Sequence, residues 1–175
     1  ETDPTVADSD GDGLRDGDEV TRGTSPTAGD SDRDGRPDGD EVRVGRTSPT
    51  DEDSDNDGLS DGREHLDGED DETDAAAGIG IYPSAPDNAD TDGDGLTDGR
   101  EILAVGSDPT LADTDGDGLA DPGEFAAGTS PRRADTDGDA LTDPLEASAV
   151  GPGTNPLLHD TDNDGLEDGE EVLTT

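Results

Sequence analysis

Too few apolar residues for a core, and a twelve-residue acidic string repeated seven times, predict a linear repeat array of mostly irregular chain. Of 175 residues, 23% are hydrophobic, against roughly 45–50% in an ordinary globular domain. One Phe, one Tyr and no Trp, Met or Cys complete the inventory. So little apolar surface cannot offset the entropy of ordering the chain, and a single-core enzyme domain is not expected. Without cysteine, disulfides cannot supply the missing stability. Fifty-one Asp and Glu stand against ten basic residues, all of them Arg, for a formal charge of −41. A polyanion of this kind excludes nucleic acid as a direct partner. No apolar run is long enough to cross a bilayer, so insertion of this segment into a membrane is not expected. The chain is then either an acidic disordered tail or a fold whose core is made of metal ions.

The order of the acids separates these readings. The string that runs from Asp8 to Glu19 recurs with starts at Asp30, Asp53, Asp90, Asp113, Asp135 and Asp160. A proline keeps the same phase: Pro4, Pro26, Pro49, Pro86, Pro109, Pro131 and Pro156 each lie four residues before a copy. A disordered tail has no reason to hold Pro, Gly and Leu in register with its acids. The one long interval implies three repeats within residues 1–66 (8–19, 30–41, 53–64) and four within 83–175 (90–101, 113–124, 135–146, 160–171). Residues 67–82 then form an insertion, acidic at first and apolar over 75–82. The opening at Glu1 and the close soon after the seventh string suggest a segment of a longer protein.

Within each copy the acids fall at positions 1, 3, 5, 9 and 12, with Gly at 6. This is the spacing of an EF-hand calcium loop. Ca²⁺ is a hard cation that takes six to eight oxygens, and a loop curled around it can supply them from these positions. Position 1 is Asp8, Asp30, Asp53, Asp90, Asp113, Asp135 or Asp160. Position 3 is Asp10, Asp32, Asp55, Asp92, Asp115, Asp137 or Asp162, and position 5 is Asp12, Asp34, Asp57, Asp94, Asp117, Asp139 or Asp164. Position 7 offers its backbone carbonyl from Leu14, Arg36, Leu59, Leu96, Leu119, Leu141 or Leu166. Position 9, direct or through water, is Asp16, Asp38, Asp61, Asp98, Asp121, Asp143 or Asp168. Position 12 is Glu19, Glu41, Glu64, Glu101, Glu124, Glu146 or Glu171, long enough to reach back with both oxygens. One ion per copy predicts seven Ca²⁺ or more. Affinities of ~10⁻⁴–10⁻³ M are typical of extracellular calcium modules.

The remaining positions describe a folded loop with a short helix behind it. Position 4 is Gly or Asn in six copies, residues that tolerate left-handed dihedrals, and Arg33 in the second. Position 6 is Gly except at Ala140. The second and sixth loops are therefore expected to fill last. Position 10 is Gly or, at Pro122 and Pro144, proline, which suits the first turn of a helix. On this reading the Asp at 9 is the N-cap and the Glu at 12 completes a capping box. Position 13 is mostly apolar, and Gly23, Gly45, Gly68, Gly106, Gly128 and Gly151 would end the helices. One or two turns of helix are unstable alone and must lean on the ion and on neighbouring repeats. There is no entering helix, because Pro sits where its last turn would be.

The pattern Asp-Thr-Asp-Gly-Asp-Gly-Leu-Thr-Asp-Gly-x-Glu, followed by Gly-Thr-x-Pro, resembles the prokaryotic thrombospondin type 3 repeat. That resemblance implies extracellular calcium-binding modules that wrap around ions and serve as stalks, spacers or adhesive segments of surface proteins. Animal members add disulfides, which this chain cannot form. The expectation is thus a mostly irregular, calcium-stabilised linear repeat array: EF-hand-like loops, each followed by a one- to two-turn helix, with no large hydrophobic core. Its expected role is structural, at the cell surface or outside the cell, with calcium ions and other surface proteins or copies of itself as partners. The alternatives are a calcium-buffering or mineral-nucleating acidic matrix protein, and a docking module that uses Ile79, Ile81 and Tyr82. His65 and His159 are isolated, and no Ser-His-Asp set, phosphate loop or zinc spacing gives an enzyme residues to work with. The absence of Lys beside so much Asp suggests a high-salt source.

Overall fold

A computed structural model describes residues 2, 5–44, 46–64, 84–148 and 153–173. The insertion at 67–82, with Ile79, Ile81 and Tyr82 of the docking reading, lies outside the described residues. The chain divides into two units, Glu1–Thr91 with Thr97–Arg100 and Asp92–Leu96 with Glu101–Thr175. The division falls inside the fourth loop. Among the described residues there is no strand, and each repeat is an irregular loop followed by a helical turn.

The loop is shaped by two left-handed residues. Position 4 has a positive φ in every copy, from 59° at Asn163 to 87° at Gly138, and Arg33 adopts it too at 70°. Position 6 is likewise left-handed, with φ near 100° at most glycines and 79° at Ala140. These two kinks turn backbone N–H groups inward onto the carboxylate of position 1. Gly11 and Gly13 donate to the two oxygens of Asp8 at 2.7 and 3.2 Å, and Arg33 and Gly35 do the same for Asp30 at 2.7 and 3.3 Å. The loop closes where the N–H of position 9 donates to the carbonyl just before position 1, as from Asp16 to Ala7 at 3.1 Å.

Helices follow at Asp16–Arg22, Asp38–Val44, Asp121–Ala127, Asp143–Ala147 and Asp168–Leu173, with a single 3₁₀ turn at Asp61–Arg63. In the fourth repeat the helix runs over Asp98–Arg100 and passes into a π-helical turn, Glu101–Val105. That repeat has five residues from Glu to Gly where the first has four, and the N–H of Gly106 reaches back five residues to Glu101. The wider turn absorbs the extra residue. Gly23 and Gly128 end their helices in the left-handed conformation, with N–H bonds to Glu19 and Glu124. Gly45, Gly68 and Gly151 lie outside the described residues. The expected capping box is not formed. Each helix begins at the position-9 Asp itself, the cap position is the residue before it (Arg15, Ala120 or Thr142), and no side chain caps there. The Asp side chain turns back into its own loop instead, as described below.

No apolar core forms among the described residues. The buried apolar side chains are three position-7 leucines, Leu59, Leu96 and Leu141, and three turn prolines, Pro86, Pro109 and Pro131. Buried charge outnumbers them, with Glu19, Glu41, Glu64, Glu101 and Glu124 all at 0% exposure. Of the apolar residues of position 13, Val20 and Phe125 face outward at 71% and 43% exposure, and Val42, Ile102 and Val172 are half-buried.

Ala140 holds a left-handed conformation that costs a residue with a Cβ about 1–2 kcal/mol. Replacing it by Gly, Ala140→Gly, should raise the stability of the calcium-loaded chain by about 1 kcal/mol, read as an upward shift in its thermal midpoint. A lower midpoint would show that the methyl group is better packed than the backbone is strained.

Candidate metal centres

Two kinds of carboxylate cluster recur. The first lies inside a loop: in the first three repeats, positions 1, 3 and 5 (Asp8, Asp10, Asp12 in the first) bring ligand oxygens within 4.8 Å of one another. The alternation places these three on the concave side of the loop. The N–H of position 7 fixes the last of them, as from Leu14 to Asp12 at 2.7 Å and from Leu141 to Asp139 at 2.7 Å.

The second cluster joins consecutive repeats. Asp12 and Glu19 meet Asp38 of the next repeat, and Asp34 and Glu41 meet Asp61. The position-9 Asp is aimed there by a clamp within its own loop. The residue at position 2 donates both its N–H and its hydroxyl to the two oxygens of that Asp, from Ser9 to Asp16 at 2.8 and 2.8 Å. The same pair of bonds occurs in all seven repeats, ending with Thr161 and Asp168 at 3.0 and 2.6 Å. The hydroxyl also accepts the N–H of the residue before the repeat's proline, as from Ser25 to Ser31 at 2.8 Å. One Ser or Thr thus ties the turn, the loop and the helix start together.

Position 10 sets how closely repeats approach. The N–H of Gly39 donates to Asp12 at 2.9 Å, that of Gly169 to Asp139 at 3.1 Å, and that of Gly99 to Asp57. A Cβ built on these glycines, or on Gly62, would lie between 1.9 and 2.5 Å from the backbone carbonyl of the preceding repeat's position-5 Asp. At Gly17, in the first repeat, nothing lies within 4 Å. The glycine is therefore there for the junction rather than for the helix.

The donor set fits a hard divalent cation. Both oxygens of Glu19 and of Glu124 are buried and accept no hydrogen bond, and one oxygen each of Asp10, Asp32, Asp55, Asp115, Asp117 and Asp137 is in the same position. Buried anionic oxygens without donors need a positive charge, and an all-oxygen set suits calcium or magnesium rather than a softer metal. The electrostatics agree. Burial, with the like charges of Asp10 and Asp12 beside it, pushes Glu19 from 4.5 up to about 7. Burial likewise lifts Glu41, Glu64 and Glu124 to about 8 and Glu146 to about 7. Asp32 and Asp55 rise to about 6 for the same reason.

Sequence reasoning did not assign the position-2 hydroxyl, the position-10 glycine, or the Ser or Thr two residues before each proline. All three are periodic in the sequence. Ser or Thr occupies position 2 in every copy, and Thr24, Thr47, Ser84, Ser107, Thr129 and Thr154 keep the second place. Ser84 and Ser107 donate to the Glu of their own repeat, Glu64 at 3.1 Å and Glu101 at 2.9 Å. His159 is exposed and contributes only its carbonyl, to Asp168.

Two expectations follow. Gly39→Ala should destabilise the loaded chain by about 1–3 kcal/mol, because its methyl overlaps the Asp12 carbonyl, whereas Gly17→Ala should be neutral or stabilise by up to about 1 kcal/mol as a better helix former. Thermal unfolding of both variants decides, and equal effects would remove the junction argument. The second concerns pH. Raised carboxyl pKa values mean that the metal-free fold holds more protons than the unfolded chain, so their contribution is full below about 4.5 and is lost as pH rises through 7 to 8. Calcium reverses the sign, since it binds the deprotonated groups and expels the protons. Protease resistance should fall from pH 5 to 8 in chelator and rise over the same range in Ca²⁺.

The family profile described as the bacterial TSP3 repeat matches residues 8–28, 53–68, 90–112, 113–131 and 160–174, together more than half of the chain. The second and sixth repeats, which carry Arg33, Arg36 and Ala140, fall outside those ranges, yet their loops have the same left-handed kinks and the same position-2 clamp. No curated relative and no solved structure matches the chain. With seven loops of one geometry and the profile matched across five of them, the chain belongs to the bacterial thrombospondin type 3 repeat family, whose repeats are calcium-binding structural modules.

Proposed function

We propose that the chain is a calcium-rigidified spacer or assembly segment of an extracellular or cell-surface protein. The observation that carries this reading is the burial of carboxylates, rather than apolar side chains, at the junctions between repeats, beside half-buried carboxylate clusters within the loops. Within each loop the proposed ligands are the carboxylates of positions 1, 3 and 5 and the carbonyl of position 7. At each junction they are position 5, the Glu of position 12 and the position-9 Asp of the next repeat. Bound calcium would supply the charge that these groups require and would hold neighbouring repeats in register. The chain's own residues do the rest: the left-handed kinks shape the loop, the position-2 hydroxyl orients Asp 9, and glycine admits the neighbouring carbonyl.

A sensor role is disfavoured on physical grounds. A sensor needs two states of similar energy and a hidden apolar surface to expose. Here the ion stands in place of the core, and among the described residues almost nothing apolar is buried to be revealed. Outside the cell calcium is ordinarily abundant, so sites of modest affinity would stay filled. Seven ions would bring the formal charge from −41 to −27, and further ions at the junctions would lower it again.

Native mass spectrometry and small-angle scattering test the proposal together. At saturating Ca²⁺ the chain should carry at least seven ions, with a radius of gyration above the roughly 16 Å of a compact 175-residue domain. Chelation should move it toward the roughly 44 Å of an unfolded chain. Three or fewer ions would defeat the calcium assignment, and a loaded particle near 16 Å would defeat the spacer role.

A further inference from the structure

Two of the turns that lead into a repeat place a donating hydroxyl on the preceding position-12 Glu, and two more bury a hydroxyl whose own N–H is bonded to that Glu. Ser84 Oγ donates to Glu64 Oε1 at 3.1 Å and Ser107 Oγ to Glu101 Oε1 at 2.9 Å, with all four residues at 0% exposure. Thr24 and Thr129 are 7% exposed, and their hydroxyls are buried without a hydrogen-bond partner. In both, the backbone N–H already bonds the carbonyl of the Glu, Glu19 or Glu124, at 3.1 Å, so the hydroxyl is anchored close to that residue. Both carboxylate oxygens of Glu19 and Glu124 are themselves buried without a donor. A solvent-facing turn has no need of a hydroxyl here, and burying one without a partner is unfavourable.

We infer that the Ser or Thr of the Ser/Thr-x-Pro turn is a positioning residue of the junction cation site. Its hydroxyl donates to one oxygen of the position-12 Glu and so aims the other at the position-5 Asp and the next repeat's Asp 9. The Glu side chain has three rotatable bonds, and a donor at its back removes most of the freedom that ion binding would otherwise have to remove. Outer-shell donors of this kind typically set metal affinity by 10- to 100-fold. The role also explains why the residue alternates between Ser and Thr but keeps its hydroxyl in six turns, while the next residue varies among Ser, Ala, Asp and Asn.

The inference rests on the calcium reading, and the test separates the two. Thr129→Val keeps the shape of the side chain and removes the hydroxyl, while Thr129→Ser keeps the hydroxyl. In the full chain, calorimetry with native mass spectrometry should show Thr129→Val losing about tenfold or more in affinity for one ion. The other ions should be unaffected, and Thr129→Ser should bind as the parent does. Circular dichroism of the two variants in chelator should be the same as the parent's, because the effect runs through the ion. A Val variant that titrates as the parent does would overturn the inference alone. So would equal weakening by Val and Ser, which would mark packing rather than the hydroxyl. A parent chain that took up no Ca²⁺ would overturn the calcium reading and this inference with it.

Discussion

Glu19, Glu41, Glu64 and Glu124 are fully buried among aspartates, an arrangement that no hydrophobic gain supports and that burial alone would reverse by protonation. A cation is the one component that turns this repulsion into cohesion. Once it is granted, the irregular backbone follows. The chain must bring the carboxylates of positions 1, 3 and 5 together while its N–H groups bond the position-1 carboxylate, and two left-handed residues serve both needs. The helices are kept short because they only have to return the chain to the next ion. Their apolar faces are left largely in water, as Val20 and Phe125 show.

Much of this was readable from spacing. Acids at 1, 3, 5, 9 and 12 gave the loop, and the residue types at 4 and 6 gave its handedness, including the strain at Ala140. Asp 9 was harder to read. An acid just before a helix invites the reading of an N-cap, and local propensity favours it. The competing attraction is the paired N–H and hydroxyl of position 2, seven residues back, which holds both oxygens at once. The bond runs back across the loop rather than forward to the helix N–H groups, so cap rules do not anticipate it. The position-10 glycine carried no readable signal for a related reason. Nothing within its own repeat requires it, and only the close approach of the preceding repeat's carbonyl explains it.

The junctions are not all alike. Pro122 and Pro144 occupy position 10 in the fifth and sixth repeats and have no N–H to offer. Where Gly39 and Gly169 donate to the preceding Asp, Asp117 has one buried oxygen without a donor and feels the charge of Asp143 directly. At that boundary cohesion falls almost wholly on the ion. Proline at the same time fixes the first helical turn, so a loss between repeats is partly offset by a gain within one.

The meeting of glycine and carbonyl at each junction has a genetic corollary. In a protein with a side-chain core, inserting or deleting a module demands compensating substitutions on the surfaces newly brought together. Here the abutting groups are a carbonyl, carboxylates and, in the five repeats with glycine at position 10, an amide. Those five copies present the same junction groups to whichever repeat precedes them. Unequal recombination among these copies could therefore lengthen or shorten the gene by whole repeats and leave the chemistry of each junction unchanged.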